Sequence, residues 1–340
     1  MAKNSTEEFK AVILAGGSGE RFWPLSTAEK PKQFLKVFGG ESLLRQSVTR
    51  LKGVVKARNV YVVTSRALVP ATRRELPEVP AENIVGEPER RDTGAAVALG
   101  VALAGEGVLG FFSSDQMVAD PAAFRACVRK AIAIAEKSRR IVTLGIKPTY
   151  PSTGFGYVDP ATRTFVEKPS ADKAREYLKR GYLWNAGMFI ARSGVFRAAI
   201  FNHAPDLTAL SEANFREGVS PSRLEKIYGP LAKISFDFAV MEPVSHTTVP
   251  GAGVEVVPGD FGWDDVGSFA AFDKYFPHDS NGNVREGPCT AVESKDNICV
   301  ARSARISLLG VKNLVVITTP DAVLVADKSR ISEMKKLFRK

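Results

Sequence analysis

The chain has 340 residues, 44% of them hydrophobic and 25% charged, and a formal net charge of +10, enough length for one main domain with a smaller companion. No apolar run approaches the roughly 20 residues of a membrane helix, and the segment from Met1 to Glu8 lacks the apolar core of a secretory signal, so a cytoplasmic protein without a membrane partner is expected. Three scattered cysteines and three histidines without metal-ligand spacing argue against a disulfide framework or a zinc site, and dispersed Lys and Arg without interleaved aromatics argue against nucleic acid.

The first predicted element is Ala11–Leu14, an apolar run that reads as a fully buried strand. It feeds a loop of Leu14, Ala15, Gly16, Gly17, Ser18 and Gly19, followed by Glu20-Arg21-Phe-Trp-Pro24. Three glycines in four residues let the backbone turn tightly, and their N–H groups can converge on an anion. Arg21, and Lys32 within Pro31-Lys-Gln-Phe-Leu35, add full positive charges. A plain glycine turn is the structural alternative. A Walker loop is excluded because Glu20-Arg21 follows the last glycine instead of Lys-Ser/Thr, and a dinucleotide fingerprint because Phe22 occupies the third-glycine position. Strand, glycine loop and two spaced cations together indicate a nucleoside triphosphate site.

Further along, strands are predicted at Val60–Thr64, Val108–Ser113 and Ile141–Gly145. Helices are predicted from Thr93 to Ala104, from Pro121 to about Lys137 and from Ala171 to Arg180, the last stopped by Gly181. The second has Asp120 as its cap, Pro121 at its first position, and Phe124, Val128, Ala131, Ile132 and Ala135 on one face. This alternation predicts an α/β fold with a largely parallel sheet covered on both faces. After about Asn281 come short β-type runs, Ile298–Ala301, Ile306–Leu309, Leu314–Thr318 and Val323–Val325, closed by an amphipathic helix from Ile331 to Phe338. The division expected is a catalytic domain over 1–280 and a β-rich module over 281–340.

The segments Gly16–Gly19, Arg21-Phe-Trp-Pro-Leu25 and Pro31-Lys-Gln-Phe-Leu35 resemble the N-terminal motif of sugar-1-phosphate nucleotidyltransferases, in particular the mannose-1-phosphate guanylyltransferases. The resemblance extends to Leu314–Asp327 and so covers nearly the whole chain. It implies a Rossmann-like catalytic domain with a mostly parallel mixed sheet, a β-helix-like C-terminal domain, and a homodimer. It also implies transfer of a guanylyl group from GTP to mannose 1-phosphate with Mg²⁺. The chain stops before the isomerase domain of bifunctional relatives, so that activity is not expected. The same chemistry on another hexose 1-phosphate or nucleotide, or a non-catalytic nucleotide-sensing homologue, are the alternatives; the retained charged residues favour an enzyme.

Residue by residue, the resemblance makes Arg21 and Lys32 catalytic and assigns the loop Leu14–Gly19, with Ser114, to the nucleotide. Asp115 matches the family's metal-binding aspartate, although relatives carry Pro-Ala-Asp-His where this chain has Ser113-Ser-Asp-Gln116. Asp265, in Phe261-Gly-Trp-Asp-Asp-Val-Gly-Ser268, would complete the Mg²⁺ site, with Asp264 as a solvated or outer neighbour. In Glu87-Pro-Glu-Arg-Arg-Asp-Thr-Gly94, Thr93 and Gly94 fall in the nucleotide-binding stretch, and Thr93 or Asp92 could simply cap a helix. A carboxylate at Glu87 can accept from both N1–H and the 2-amino group of guanine, an arrangement that adenine and the pyrimidines cannot supply. Gly154, Glu167, Lys168 and Asn185 are assigned to the sugar phosphate. For Asp237 and Glu242 a structural role stands beside substrate contact.

Overall fold

A computed structural model describes residues 9–17, 19–213 and 220–338. The chain divides into two compact units, one comprising Met1–Gly16, Arg45–Ser114 and Val118–Trp263, the other Gly17–Leu44, Asp115–Met117 and Asp264–Lys340.

The first unit is built on a nine-stranded sheet. Its strands are β1 (Phe9–Ala15), β2 (Val60–Ser65), β3 (Ile84–Glu87), β4 (Val108–Ser113), β5 (Arg139–Ile146), β6 (Tyr157–Val158), β7 (Phe165–Val166), β8 (Leu183–Arg192) and β9 (Ala252–Gly259). Seven run in the order β9-β5-β8-β4-β1-β2-β3, with β6 joining β8 and β7 joining β6. β1 lies between β2 and β4, parallel to both. Its nearly continuous burial is what an inner strand covered on both faces requires. β8 is antiparallel to both β4 and β5, which makes the sheet mixed.

Helix α1 (Asp92–Ala104) is almost wholly buried, as its Ala- and Gly-rich sequence allows. Helix α2 (Pro121–Ala135) begins where Asp120 Oδ1 accepts from the N–H groups of Ala122 and Ala123, both at 2.9 Å. Its five predicted core positions are all buried, and it ends two residues earlier than expected. Helix α3 (Ala171–Lys179) stops before Gly181, whose φ is +75°. A further helix, α4 (Pro221–Tyr228), begins at the Ser220 cap and buries Leu224 and Tyr228.

The second unit gathers three separated pieces of chain around one apolar cluster. Phe22, Leu35, Phe38 and Leu43 pack there with Val266, Phe269, Phe272, Val284, Ile298, Val315 and Ile317. The C-terminal strands β10 (Val284–Glu286), β11 (Cys289–Val292), β12 (Ile298–Ala301), β13 (Ile306–Leu309), β14 (Leu314–Thr318) and β15 (Val323–Asp327) form two small sheets. β10, β12 and β14 stack in parallel, as do β11 and β13, while β15 returns antiparallel on β14. Alternate coils are tied by the wholly buried Asn283 and Asn297: the Asn297 amide donates to Asn283 Oδ1 at 2.9 Å, and Leu314 N–H donates to Asn297 Oδ1 at 2.9 Å. The terminal segment Lys328–Phe338 is 3₁₀ rather than α-helical. Ile331 and Met334, its buried residues, are three apart, so a three-residue turn keeps both on the core side.

Candidate active site

The second unit brings together four charged residues named from the sequence. Gly19 adopts φ +63°, and a Cβ there would fall 2.4 Å from the Lys32 nitrogen. Glycine is therefore needed for the loop to lie against Pro31-Lys32-Gln33. Gln33 Nε2 donates to the Gly17 carbonyl at 3.2 Å and Ser26 Oγ to the Gly19 carbonyl at 2.6 Å, which fixes the loop's exit. The Lys32 ammonium is buried. It donates to Asp115 Oδ2 at 3.0 Å and to the Asp265 carbonyl at 2.7 Å, above the Phe22 ring.

The two carboxylates are more open. Side-chain exposure is 38% for Asp115 and 31% for Asp265, against 5% for Lys32. Burial raises the Asp265 carboxyl above its ordinary range; Lys32 opposes that shift, Asp115 adds to it, and Arg21 opposes it. Arg21 lies 4.0 Å from Asp265 Oδ2 with 47% of its side chain exposed, free to swing toward an added anion. Asp264 braces this turn. Its Oδ1 accepts from Val266 N–H at 2.7 Å, its Oδ2 pairs with Lys274 at 2.7 Å, and Val266 is held at φ +47°.

Among the described residues no group of three or more His, Cys, Asp or Glu side chains forms a ready metal cage. Two hard oxygen donors nevertheless suit Mg²⁺, which keeps several waters and takes phosphate oxygens for the rest of its shell. Lys32 serves the same carboxylates as an internal counter-ion, so its ammonium is less available to a triphosphate than that of an exposed lysine.

The first unit holds the other predicted residues. Glu87 closes β3 and is 7% exposed. Burial pushes its carboxyl up to about 7, opposed by a hydrogen bond from the Tyr228 hydroxyl to Oε1 at 3.1 Å; Asp92 raises it further and Arg90 lowers it. A cleft of about 500 Å³, lined by Ser65, Arg66, Glu87, Pro88, Glu89 and Arg90, opens beside it. At Gly16 a Cβ would lie 3.2 Å from Glu87 Oε2, so that oxygen faces the first glycine of the loop. Leu14 and Ala15 stand at the end of β1. Ser114 is buried, with its N–H donated to the Leu14 carbonyl at 3.1 Å. Ser18 lies outside the described residues.

Thr93 and Gly94 are drawn toward the segment before the π-turn Asp237–Met241. Thr93 Oγ1 accepts from Phe236 N–H at 2.9 Å, and a Cβ on Gly94 would meet the Ile234 carbonyl at 2.7 Å. Glu167 and Lys168 pair at 2.9 Å, with Glu167 buried and Lys168 half exposed over the Phe238 ring. Burial raises the Glu167 carboxyl and Lys168 opposes it. Burial lowers the Lys168 ammonium, but Glu167, Asp237 and Asp92 together hold it above the usual lysine range. Asn185 sits at a register shift between β5 and β8. Its Oδ1 accepts from Thr143 Oγ1 at 2.7 Å and Gly187 N–H at 3.1 Å, while its Nδ2 donates to Asp237 Oδ1 at 2.8 Å. Gly154 is exposed, at a turn where its N–H donates to Ser152 Oγ at 3.1 Å. Nearby Gly156 admits the cluster: a Cβ there would come within 2.6 Å of Glu167 Oε2. Sequence reasoning missed Tyr228 and Thr143, which hold Glu87 and Asn185, because neither lies in a recognisable motif.

The first unit carries a mostly parallel sheet whose first strand runs into a glycine loop, and the second sets two cations beside two oxygen-donor carboxylates; each is a feature of nucleotide-transferring enzymes. The chain belongs to the nucleotidyl transferase family, whose model matches residues 10–281. A MannoseP isomerase/GMP-like β-helix domain matches residues 287–340. The chain is 35% identical to the mannose-1-phosphate guanylyltransferase of Escherichia coli K12, covering 96% of this chain and 72% of that one. A Sinorhizobium fredii protein of the same name is 33% identical over 99% of this chain and 69% of its own. A solved Thermus thermophilus structure, described as a mannose-1-phosphate geranyltransferase, superposes with a TM-score of 0.84 at 34% identity, covering 97% of this chain and 98% of that one. Among the described residues no helix is long and apolar enough to cross a membrane.

Proposed function

We propose that this chain makes GDP-mannose and pyrophosphate from GTP and mannose 1-phosphate, acting with Mg²⁺ on Asp115 and Asp265. A sugar-phosphate oxygen forms a bond to the α-phosphorus while the bond from that phosphorus to the oxygen bridging to the β-phosphate breaks. The proximity of two polyanions is the main barrier, so positioning and cations carry the catalysis. Bound Mg²⁺ would neutralise charge on the phosphate oxygens. Arg21, exposed and always protonated, binds oxygens of the triphosphate in a bidentate fashion. Lys32 offsets one of the two aspartate charges, holding the Asp115 carboxylate and the Asp265 backbone in place before substrate arrives. The glycines Gly16, Gly17 and Gly19 offer backbone N–H groups to the triphosphate. Lys168 takes the sugar phosphate, while Glu167 and Asp237, the latter fixed by Asn185, accept from sugar hydroxyls.

The observation that carries the donor assignment is the buried Glu87 carboxylate, aimed at the loop glycine and able to accept two guanine hydrogens. Glu87→Gln turns one acceptor oxygen into a donor. The GTP-over-UTP ratio of kcat/KM should fall about 10- to 100-fold, the loss of one charge-assisted hydrogen bond. An unchanged ratio would remove the basis for guanine selection. A cytoplasmic homodimer fits the free cysteines and the exposed Val292, Leu309, Val323 and Val325 of the C-terminal module.

A further inference from the structure

We infer that Tyr228 is a positioning residue for base selection, its hydroxyl holding one oxygen of Glu87 so that the other faces the glycine loop. This rests on the reading of Glu87 given above. Tyr228 is wholly buried at the end of α4, and its hydroxyl donates to Glu87 Oε1 at 3.1 Å. Oε2 is left on the Gly16 side, where the absence of a side chain keeps it approachable.

The tyrosine is itself anchored by the motif that it serves. Arg91 Nε donates to the Tyr228 carbonyl at 3.2 Å, and an Arg91 Nη donates to the Gly229 carbonyl at 2.8 Å. On the same helix, Glu225 pairs at 2.6 Å with Arg66, which lines the cleft beside Glu87. Glu87 and Arg91, four residues apart in one segment, thus bind the side chain and the backbone of the same residue. A tyrosine recruited only for packing needs neither contact.

The consequence is a pH dependence. The charged groups around Glu87 are Arg90 and Asp92 on its own segment, with Arg66 and Glu89 at the cleft. Burial and Asp92 favour the protonated carboxyl; Arg90 and the Tyr228 hydroxyl oppose them. A protonated Glu87 cannot accept both guanine hydrogens as strongly. Tyr228→Phe removes the hydroxyl donor and keeps the ring in the core, so protonation should begin at higher pH.

The test is calorimetric binding of GTP with Mg²⁺ between pH 6 and 8.5, together with kcat/KM for GTP, for UTP and for ITP, which lacks the 2-amino group. In Tyr228→Phe the acid-side loss of GTP affinity should move up by about one pH unit, the scale of a hydrogen bond to a charged group. At pH 7 this lowers GTP affinity and GTP-over-ITP preference several-fold, and both should recover by pH 8.5. Arg91→Met, which frees the Tyr228 backbone and spares the hydroxyl, should move the profile in the same direction and serves if Tyr228→Phe folds poorly. A profile that superimposes on wild type, or a uniform loss at every pH, would overturn the inference. Wild-type protein that does not prefer GTP over UTP would instead overturn the guanine reading; normal preference with an unshifted Tyr228→Phe profile would overturn only the role of Tyr228.

Discussion

Lys32→Met should uncouple the carboxylate pair of the second unit. The lysine ammonium sits 3.0 Å from Asp115 Oδ2. Two unit charges at that separation attract by about 5.5 kcal/mol at an effective dielectric near 20, and by about 1.4 kcal/mol in water. Lys32 is shielded, but Asp115 keeps more than a third of its surface open. Screening therefore brings the expected coupling to about 2 kcal/mol. A double-mutant cycle of Lys32→Met and Asp115→Asn, followed by urea unfolding without metal, reads that energy directly. Losing an internal cation should also tighten Mg²⁺, so the single variant should gain more thermal stability per added Mg²⁺ than wild type while its turnover falls. A coupling under about 0.5 kcal/mol with an unaltered Mg²⁺ response would refute the counter-ion role and reduce Lys32 to a side chain packed over Phe22.

Two further perturbations probe other joints of the site. Gly19→Ala combines an unfavourable positive φ with a Cβ 2.4 Å from the Lys32 nitrogen; denaturant unfolding should show a loss of about 2–4 kcal/mol, and a stable, fully active variant would mean the loop can relax freely. Asp237 carries a carboxyl that burial, reinforced by Glu167, pushes up to about 7. A raised acid favours the folded state while protonated, and that contribution is lost as pH climbs from the unfolded value near 4 through about 7. Asp237→Asn has no such loss, so its stability relative to wild type should improve by about 1–2 kcal/mol between pH 5 and pH 8, reduced from the full shift because Asp237 is not wholly shielded. A pH-independent difference would contradict the burial of that charge.

Much of this organisation was legible in the sequence, and the exceptions share a cause. The inner strands β1, β2 and β4 announce themselves as apolar β-branched or aromatic runs, and Asp120-Pro121 marks a helix start by local chemistry alone. β8 escaped notice because its apolar run Met188-Phe-Ile-Ala191 is only four residues long and is preceded by Trp184-Asn-Ala-Gly, which has neither alternation nor continuous apolarity; its pairing with β4 and β5 supplies what the local pattern lacks. The terminal segment obeys the helical pattern of Ile331 and Met334, yet two residues at that spacing fit a 3₁₀ turn as well as an α-turn. Asp115 and Asp265, some 150 positions apart, could not be joined by spacing. Their association with Lys32 arises because Phe22, Leu35 and Phe38 pack into the same core as Val266 and Phe269. Tyr228 and Thr143 act through contacts at sequence separations of 141 and 42, beyond what any local pattern records.

The most direct measurement is pyrophosphate release and nucleotide-sugar formation with purified protein and Mg²⁺, crossing GTP, UTP, dTTP and ATP with mannose 1-phosphate and glucose 1-phosphate. GTP with mannose 1-phosphate should give GDP-mannose with the highest kcat/KM of the set, and chelation of the metal should stop the reaction. Preferred turnover of another pair, or no pyrophosphate release with any donor, would contradict the account.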